Sequence, residues 1–69
     1  MAKKVLNRIK AVLAEKGRNN KWLADKLGRN ATTVSRWCTN SMQPTMETLH
    51  QIAEALEVDV RELLVSTKE

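Results

Sequence analysis

Gly17, Gly28 and Pro44 are the only glycines and the only proline in the chain, and they divide it into stretches whose apolar residues recur at helical spacing. Glycine supplies the left-handed backbone that ends helices and proline cannot continue one, so these three residues punctuate an all-α fold. Before Gly17, Leu6, Ile9 and Leu13 line up with Val5 and Val12 beside them, which predicts a first amphipathic helix over 4–16. Asn19 is an N-cap for a second helix over 20–27, with Leu23, Ala24 and Leu27 inward and Gly28 as its stop. Asn30 caps a third over 31–38, in which Val34 and Trp37 face the core. Residues 39–44 read as a loop, with Asn40 left-handed and Pro44 closing it. Thr45 opens a fourth helix over 46–56, where Met46, Leu49, Ile52, Ala53 and Leu56 form the most regular apolar stripe in the sequence. Asp59 and Glu62 have capping-box spacing and predict a short fifth helix carrying Val60, Leu63 and Leu64. Nothing reads as a strand, and no linker or repeat divides 1–69, so the expectation is one compact five-helix domain.

A chain of 69 residues buries only about 60% of the surface its unfolded form exposes, which makes a deep catalytic pocket hard to build. Cys38 stands alone, so an internal disulfide is excluded. A structural zinc needs about four close ligands, and only Cys38 and His50 are candidates, so neither metal nor cofactor is expected. Ser35, His50 and Asp25 could be assembled into a triad on paper. With no nucleophile elbow, oxyanion loop or small-molecule pocket in the pattern, an enzyme is not expected. At the start of the chain Arg8, Lys10, Glu15 and Lys16 interrupt the apolar positions, so it lacks a signal peptide's hydrophobic run, and no stretch approaches membrane-spanning length. The expected location is the cytoplasm, where a lone thiol stays reduced.

Charge is unevenly placed. Residues 1–36 carry ten lysines and arginines against Glu15 and Asp25, a balance of +8, whereas residues 37–69 carry Arg61 and Lys68 against six acids, a balance of −4. Such polarity suits a chain that turns its first half toward a polyanion, although solvated helix faces are the plainer reading of any charge run. The helices around Gly28 decide between the two. Two short helices separated by a glycine turn, the second with an apolar inner pair and a small polar outer face, meet the specification of a helix-turn-helix over about 20–38. The second helix must enter a major groove about 12 Å wide, and Ala31, Thr32 and Thr33 are small enough not to hold it off the base edges.

The segment NKWLADKLGRNATTVSRWC resembles the Cro and phage-repressor family of helix-turn-helix regulators, also called xenobiotic-response-element-like. Leu23, Ala24, Leu27, Gly28, Val34, Ser35, Arg36 and Trp37 stand at that family's positions. The likeness extends to Arg8-Ile9-Lys10, Pro44, the stripe from Leu49 to Leu56, and Val58 to Leu64. The resemblance implies a lambda-repressor-like fold and a sequence-specific regulator of transcription, a repressor, that binds double-stranded DNA. It places Ala31, Thr32, Thr33 and Arg36 toward base edges. Asn20 occupies a phosphate-contacting position at the start of the second helix, and Ser35 lies near base or phosphate. Lys21, Arg29, Asn40, Ser41 and Gln43 are candidates for backbone positioning, which gives affinity with little sequence reading. Family members bind palindromic sites as homodimers, and the acidic, apolar C-terminal portion with Val60, Leu64 and Val65 is the expected place of self-association.

Three positions depart from the family pattern. Cys38 replaces a glutamate that pairs with the arginine at position 8, so Arg8 must find a carbonyl, water or another carboxylate. Asn40 replaces a glycine, and Met42 a basic residue. Trp37 reads as core; Trp22 stands where a polar residue is usual, and either covers the core edge or meets a partner. Cys38 reads as a small buried hydrophobe rather than a redox switch, and His50 as solvated. The rival function is a helix-turn-helix used as a protein-interaction or antitoxin-like module. A pure adaptor has no need of ten basic residues in its first half.

Overall fold

The computed structural model describes residues 5–65, and among them are four α-helices and one 3₁₀ turn, not five helices. The helices are α1 (Ile9–Glu15), α2 (Asn20–Leu27), α3 (Ala31–Cys38) and α4 (Met46–Leu56), and the 3₁₀ turn is Val60–Leu63. For α2, α3 and α4 the bounds are those the caps and punctuation predict. Asn19 accepts from the Trp22 amide at 2.9 Å, Asn30 from that of Thr32 at 2.7 Å, and Thr45 from that of Thr48 at 3.1 Å. Each satisfies an N–H that the first helical turn would otherwise leave unpaired.

All four helices leave through the same exit. One or two residues after each helix the chain turns left-handed, at Gly17, Gly28, Asn40 and Glu57 with φ of 68°, 67°, 61° and 59°. The following amide reaches back five residues: Arg18 to Leu13, Arg29 to Ala24, Ser41 to Arg36 and Val58 to Ala53, at 2.8–3.0 Å. This paired closure satisfies carbonyls the last turn cannot. Glycine makes it at no steric cost and asparagine tolerates it, but Glu57 takes it against its own preference.

Two expectations need correction. The first helix begins at Ile9, not near residue 4, which itself lies outside the described residues. Leu6 and Asn7 cannot be helical because their amides are taken by the Asn40 side-chain oxygen at 2.9 and 3.0 Å, while Asn7 Oδ1 accepts from the Ile9 amide at 3.1 Å. The fifth helix is a single 3₁₀ turn. Its cap forms as predicted, with Asp59 accepting from the Arg61 amide and Glu62 from that of Asp59. Leu64 is then extended and bridges Asn7 in antiparallel fashion. One isolated bridge thus joins the stretch before α1 to the residue after the 3₁₀ turn.

The core is built where the stripes predict it, from Ile9, Val12, Leu13, Leu23, Ala24, Val34, Trp37, Cys38, Leu49, Ile52, Ala53, Leu56 and Leu63. Leu6 and Met46 belong to those stripes by spacing yet are 46% and 61% exposed, Leu6 because it lies in the non-helical stretch before α1 and Met46 because it is the first residue of α4. Val60 packs against the core, whereas Leu64 and Val65 are exposed. Arg8 finds two partners in place of the missing glutamate. It donates to the carbonyl of Glu62 at 3.0 Å and pairs with Glu15 at 3.6 Å.

Candidate nucleic-acid interface

Alpha helices of eight residues are marginal alone, so α3 owes its position to its ends and to the face it buries. Val34, Trp37 and Cys38 are its buried residues and form one side. Thr32 and Arg36, four residues apart, point directly away from that side, and both are exposed. Ala31 is exposed at the helix start, and Thr33 and Ser35 are half-buried on the flanks. The Arg36 guanidinium has no protein partner among the described residues, so its planar fork of donors is free for a ligand.

At the front of α3 the turn residue Arg29 is exposed and donates to Thr48 Oγ1 at 3.3 Å, which ties the turn to the first turn of α4. At the back, the loop is held inward. Asn40 Oδ1 receives the amides of Leu6 and Asn7 and the amide group of Gln43 at 3.0 Å, and Asn40 Nδ2 donates to the Asn7 carbonyl at 3.3 Å. Asn7 is 4% exposed and donates through Nδ2 to the Trp37 carbonyl at 3.0 Å and to Gln43 Oε1 at 2.8 Å. Asn40 and Gln43, both read from sequence as phosphate contacts, therefore spend their side chains on a polar clamp that fixes the end of α3 to the chain before α1. Ser41 stays exposed beside Thr39, the two hydroxyls 2.9 Å apart.

On the other side, α2 opens toward α1. Asn20 is half-buried, and its Oδ1 accepts from Cys38 Sγ at 3.2 Å, joining the start of α2 to the last turn of α3. Burial pushes the Cys38 thiol above its ordinary pKa, with Lys10 pulling the other way, so at neutral pH it is a donor. Lys21 is exposed one residue further along. It lines a shallow groove with Lys10, Arg18, Asn19 and Asn20. Sequence alone assigns neither Lys10 nor Arg18 to the interface; what singles them out is the groove that α1 and the start of α2 line together, which a linear pattern does not display. Lys10 and Lys21 beside a helix N-terminus suit a phosphate backbone, while Arg18 places its guanidinium over the Trp22 ring.

Trp22 is half-buried against the core edge, with the Arg18 guanidinium 4.7 Å and the Lys26 ammonium 6.0 Å from its ring centre. His50 is exposed, and no hydrogen bond joins it to Ser35 or Asp25 among the described residues. No group of three or more metal-ligating side chains occurs among those residues, and no helix is long and apolar enough to cross a membrane.

Comparison with known proteins matches residues 8–69 to the Cro/C1-type HTH DNA-binding domain. No curated protein matches the chain. Among solved structures, that of a candidate DNA-binding protein from Bacteroides fragilis is 53% identical, with a TM-score of 0.86 over 87% of this chain and 97% of that one.

Proposed function

The chain belongs to the Cro/C1-type helix-turn-helix DNA-binding domains, and from that premise we propose that it is a sequence-specific repressor that reads the major groove of an operator with α3. The observation that carries this reading is the outer face of α3: Thr32 and Arg36 project together, small Ala31 precedes them, and the Arg36 fork has no protein partner among the described residues. Arg36 contacts guanine O6 and N7, a pairing that discriminates by about 1–3 kcal/mol. Thr32 reads a neighbouring base, with Ala31 and Thr33 in van der Waals reach of others. Asn20, Lys21, Arg29, Ser35 and Ser41 set the register on phosphates, with Lys10 added from the groove beside α2. The protein works in the cytoplasm, where the DNA is, and represses by occupying promoter sequence.

Two copies bind a palindromic operator, their half-sites about 34–36 Å apart. Val5, Leu6, Leu64 and Val65 are exposed around the Asn7–Leu64 bridge and supply the apolar surface for pairing. Selection of bound sequences from a random duplex pool, followed by titration of the winner against salt, tests the whole reading. A palindromic consensus with steep salt dependence is the expected result. Failure to enrich any sequence, with weak binding even at low salt, overturns it. Sedimentation showing only monomer at high micromolar concentration, with and without the selected duplex, overturns the dimer.

A further inference from the structure

A second cationic site lies on the flank of α2 away from Lys21. Lys16, Arg18, Trp22, Lys26, Ala55, Leu56 and Glu57 enclose a cleft of about 220 Å³ between the α1–α2 turn, α2 and the end of α4. Three cations and one acid line it, and none of the three cations is ion-paired among the described residues. Arg18 is held over the Trp22 ring, with Lys26 near the same ring. A guanidinium resting on an aromatic face has its plane fixed and its fork of donors directed outward, so little order is lost when a carboxylate arrives.

We propose that this cleft docks a glutamate-bearing acidic segment of a partner protein while α3 is on DNA. The lining chooses a carboxylate with a stem over a bare phosphate. Trp22, Ala55 and Leu56 form an apolar wall for methylene groups, and Arg18, Lys26 and Lys16 receive the charge at its end. The volume is too small for a typical drug-sized ligand and fits one or two side chains. Its setting separates it from the reading head. Trp22 and Lys26 share one flank of α2, and Lys21 lies on another. The wall from α4 is its last turn, about 12 Å along the helix from Thr48, which meets the turn before α3.

Trp22 and Trp37 provide two indole N–H signals in a proton–nitrogen NMR spectrum, one in the cleft and one in the core. Hexaglutamate should shift the Trp22 signal saturably and leave that of Trp37, 3% exposed, in place. The Arg18→Gln/Lys26→Gln double variant should bind hexaglutamate about tenfold more weakly, and wild-type protein held on the selected duplex should still bind it. No saturable shift, or an equal shift in the double variant, overturns the proposal, the latter because the attraction is then diffuse. If the duplex alone shifts Trp22 and displaces hexaglutamate, the cleft belongs to the DNA footprint and the proposal falls. Arg36→Ala removes base reading without touching the cleft, so failure of the operator reading is scored separately.

Discussion

Replacing Asn7 with alanine removes three hydrogen bonds from one buried side chain, and their partners differ in what they lose. The Ile9 amide, which Asn7 Oδ1 accepts from at 3.1 Å, is buried and has no second partner among the described residues, so it bears the cost of an unsatisfied donor, about 1–3 kcal/mol. The Trp37 carbonyl keeps the Asn40 amide at 3.1 Å, and Gln43 is exposed and can turn to water. Those two losses together cost about 1 kcal/mol. The sum is about 2–4 kcal/mol out of a total of roughly 5–15 for a domain of this kind. At about 4–8 °C per kcal/mol for a domain of this length, the midpoint should fall by roughly 8–32 °C. Urea and thermal unfolding followed by circular dichroism measure it, with the urea slope unchanged if the native state stays compact. A loss below about 0.5 kcal/mol would refute the clamp as a stabilising element.

Four further outcomes are expected. Arg36→Ala should cost about 1–3 kcal/mol on the selected duplex and far less on a scrambled one, read by fluorescence anisotropy; equal losses on both would sink the assignment of α3. Lys21→Ala should weaken both duplexes alike and reduce the slope of log affinity against log salt by about one. Glu57→Gly should raise stability by about 0.5–1 kcal/mol in urea unfolding, since it relieves a left-handed residue; a loss would show that the side chain holds the end of α4. Cys38 has a folded pKa raised by burial above its ordinary 9.0, so its contribution is complete below that pH and declines as pH rises through the folded value. Unfolding of wild type and Cys38→Ala between about pH 8 and 11 should show a steeper alkaline loss in wild type, and parallel curves would contradict it.

How much of this was legible in the sequence follows from how far each signal travels along the chain. Asn19, Asn30 and Thr45 act within three residues of themselves, so α2, α3 and α4 start where the caps say. Gly28 acts just as locally. The start of α1 depends instead on Asn40, more than thirty residues away, which captures the Leu6 and Asn7 amides. Leu6 keeps perfect helical register with Ile9 and Leu13, so nothing local could have announced that it is extended. The end of the chain fails for the same reason, since Leu64 answers to Asn7 and not to its own capping box. The left-handed turn at Glu57 was invisible because glutamate carries no preference for it. In the candidate site, the outward placement of Thr32 and Arg36 is a matter of helical period and could be read directly. The inward use of Asn40 and Gln43, and the meeting of Lys10 with Lys21, required the packing of elements distant in sequence.

The clamp has a consequence for where affinity for DNA can come from. A loop after α3 with its polar side chains free would offer phosphate contacts on that side, but here Asn40 and Gln43 are committed to Asn7, and Met42 brings no charge. Those commitments hold the last turn of α3 through the Trp37 carbonyl, while Arg29 and Thr48 hold its front. A helix of eight residues that is pinned at both ends loses little order on binding, which on the proposed reading of α3 favours affinity without adding a contact. The cations then accumulate where side chains remain free, along α1 and α2, and the +8 balance of the first 36 residues is the composition such a division of labour requires. Hydrogen-bonded support on one side of α3 and exposed charge on the other divide the two tasks. On the proposed reading, the loop's departures at Asn40 and Met42 are offset by the clamp and by the cations of the α2 groove.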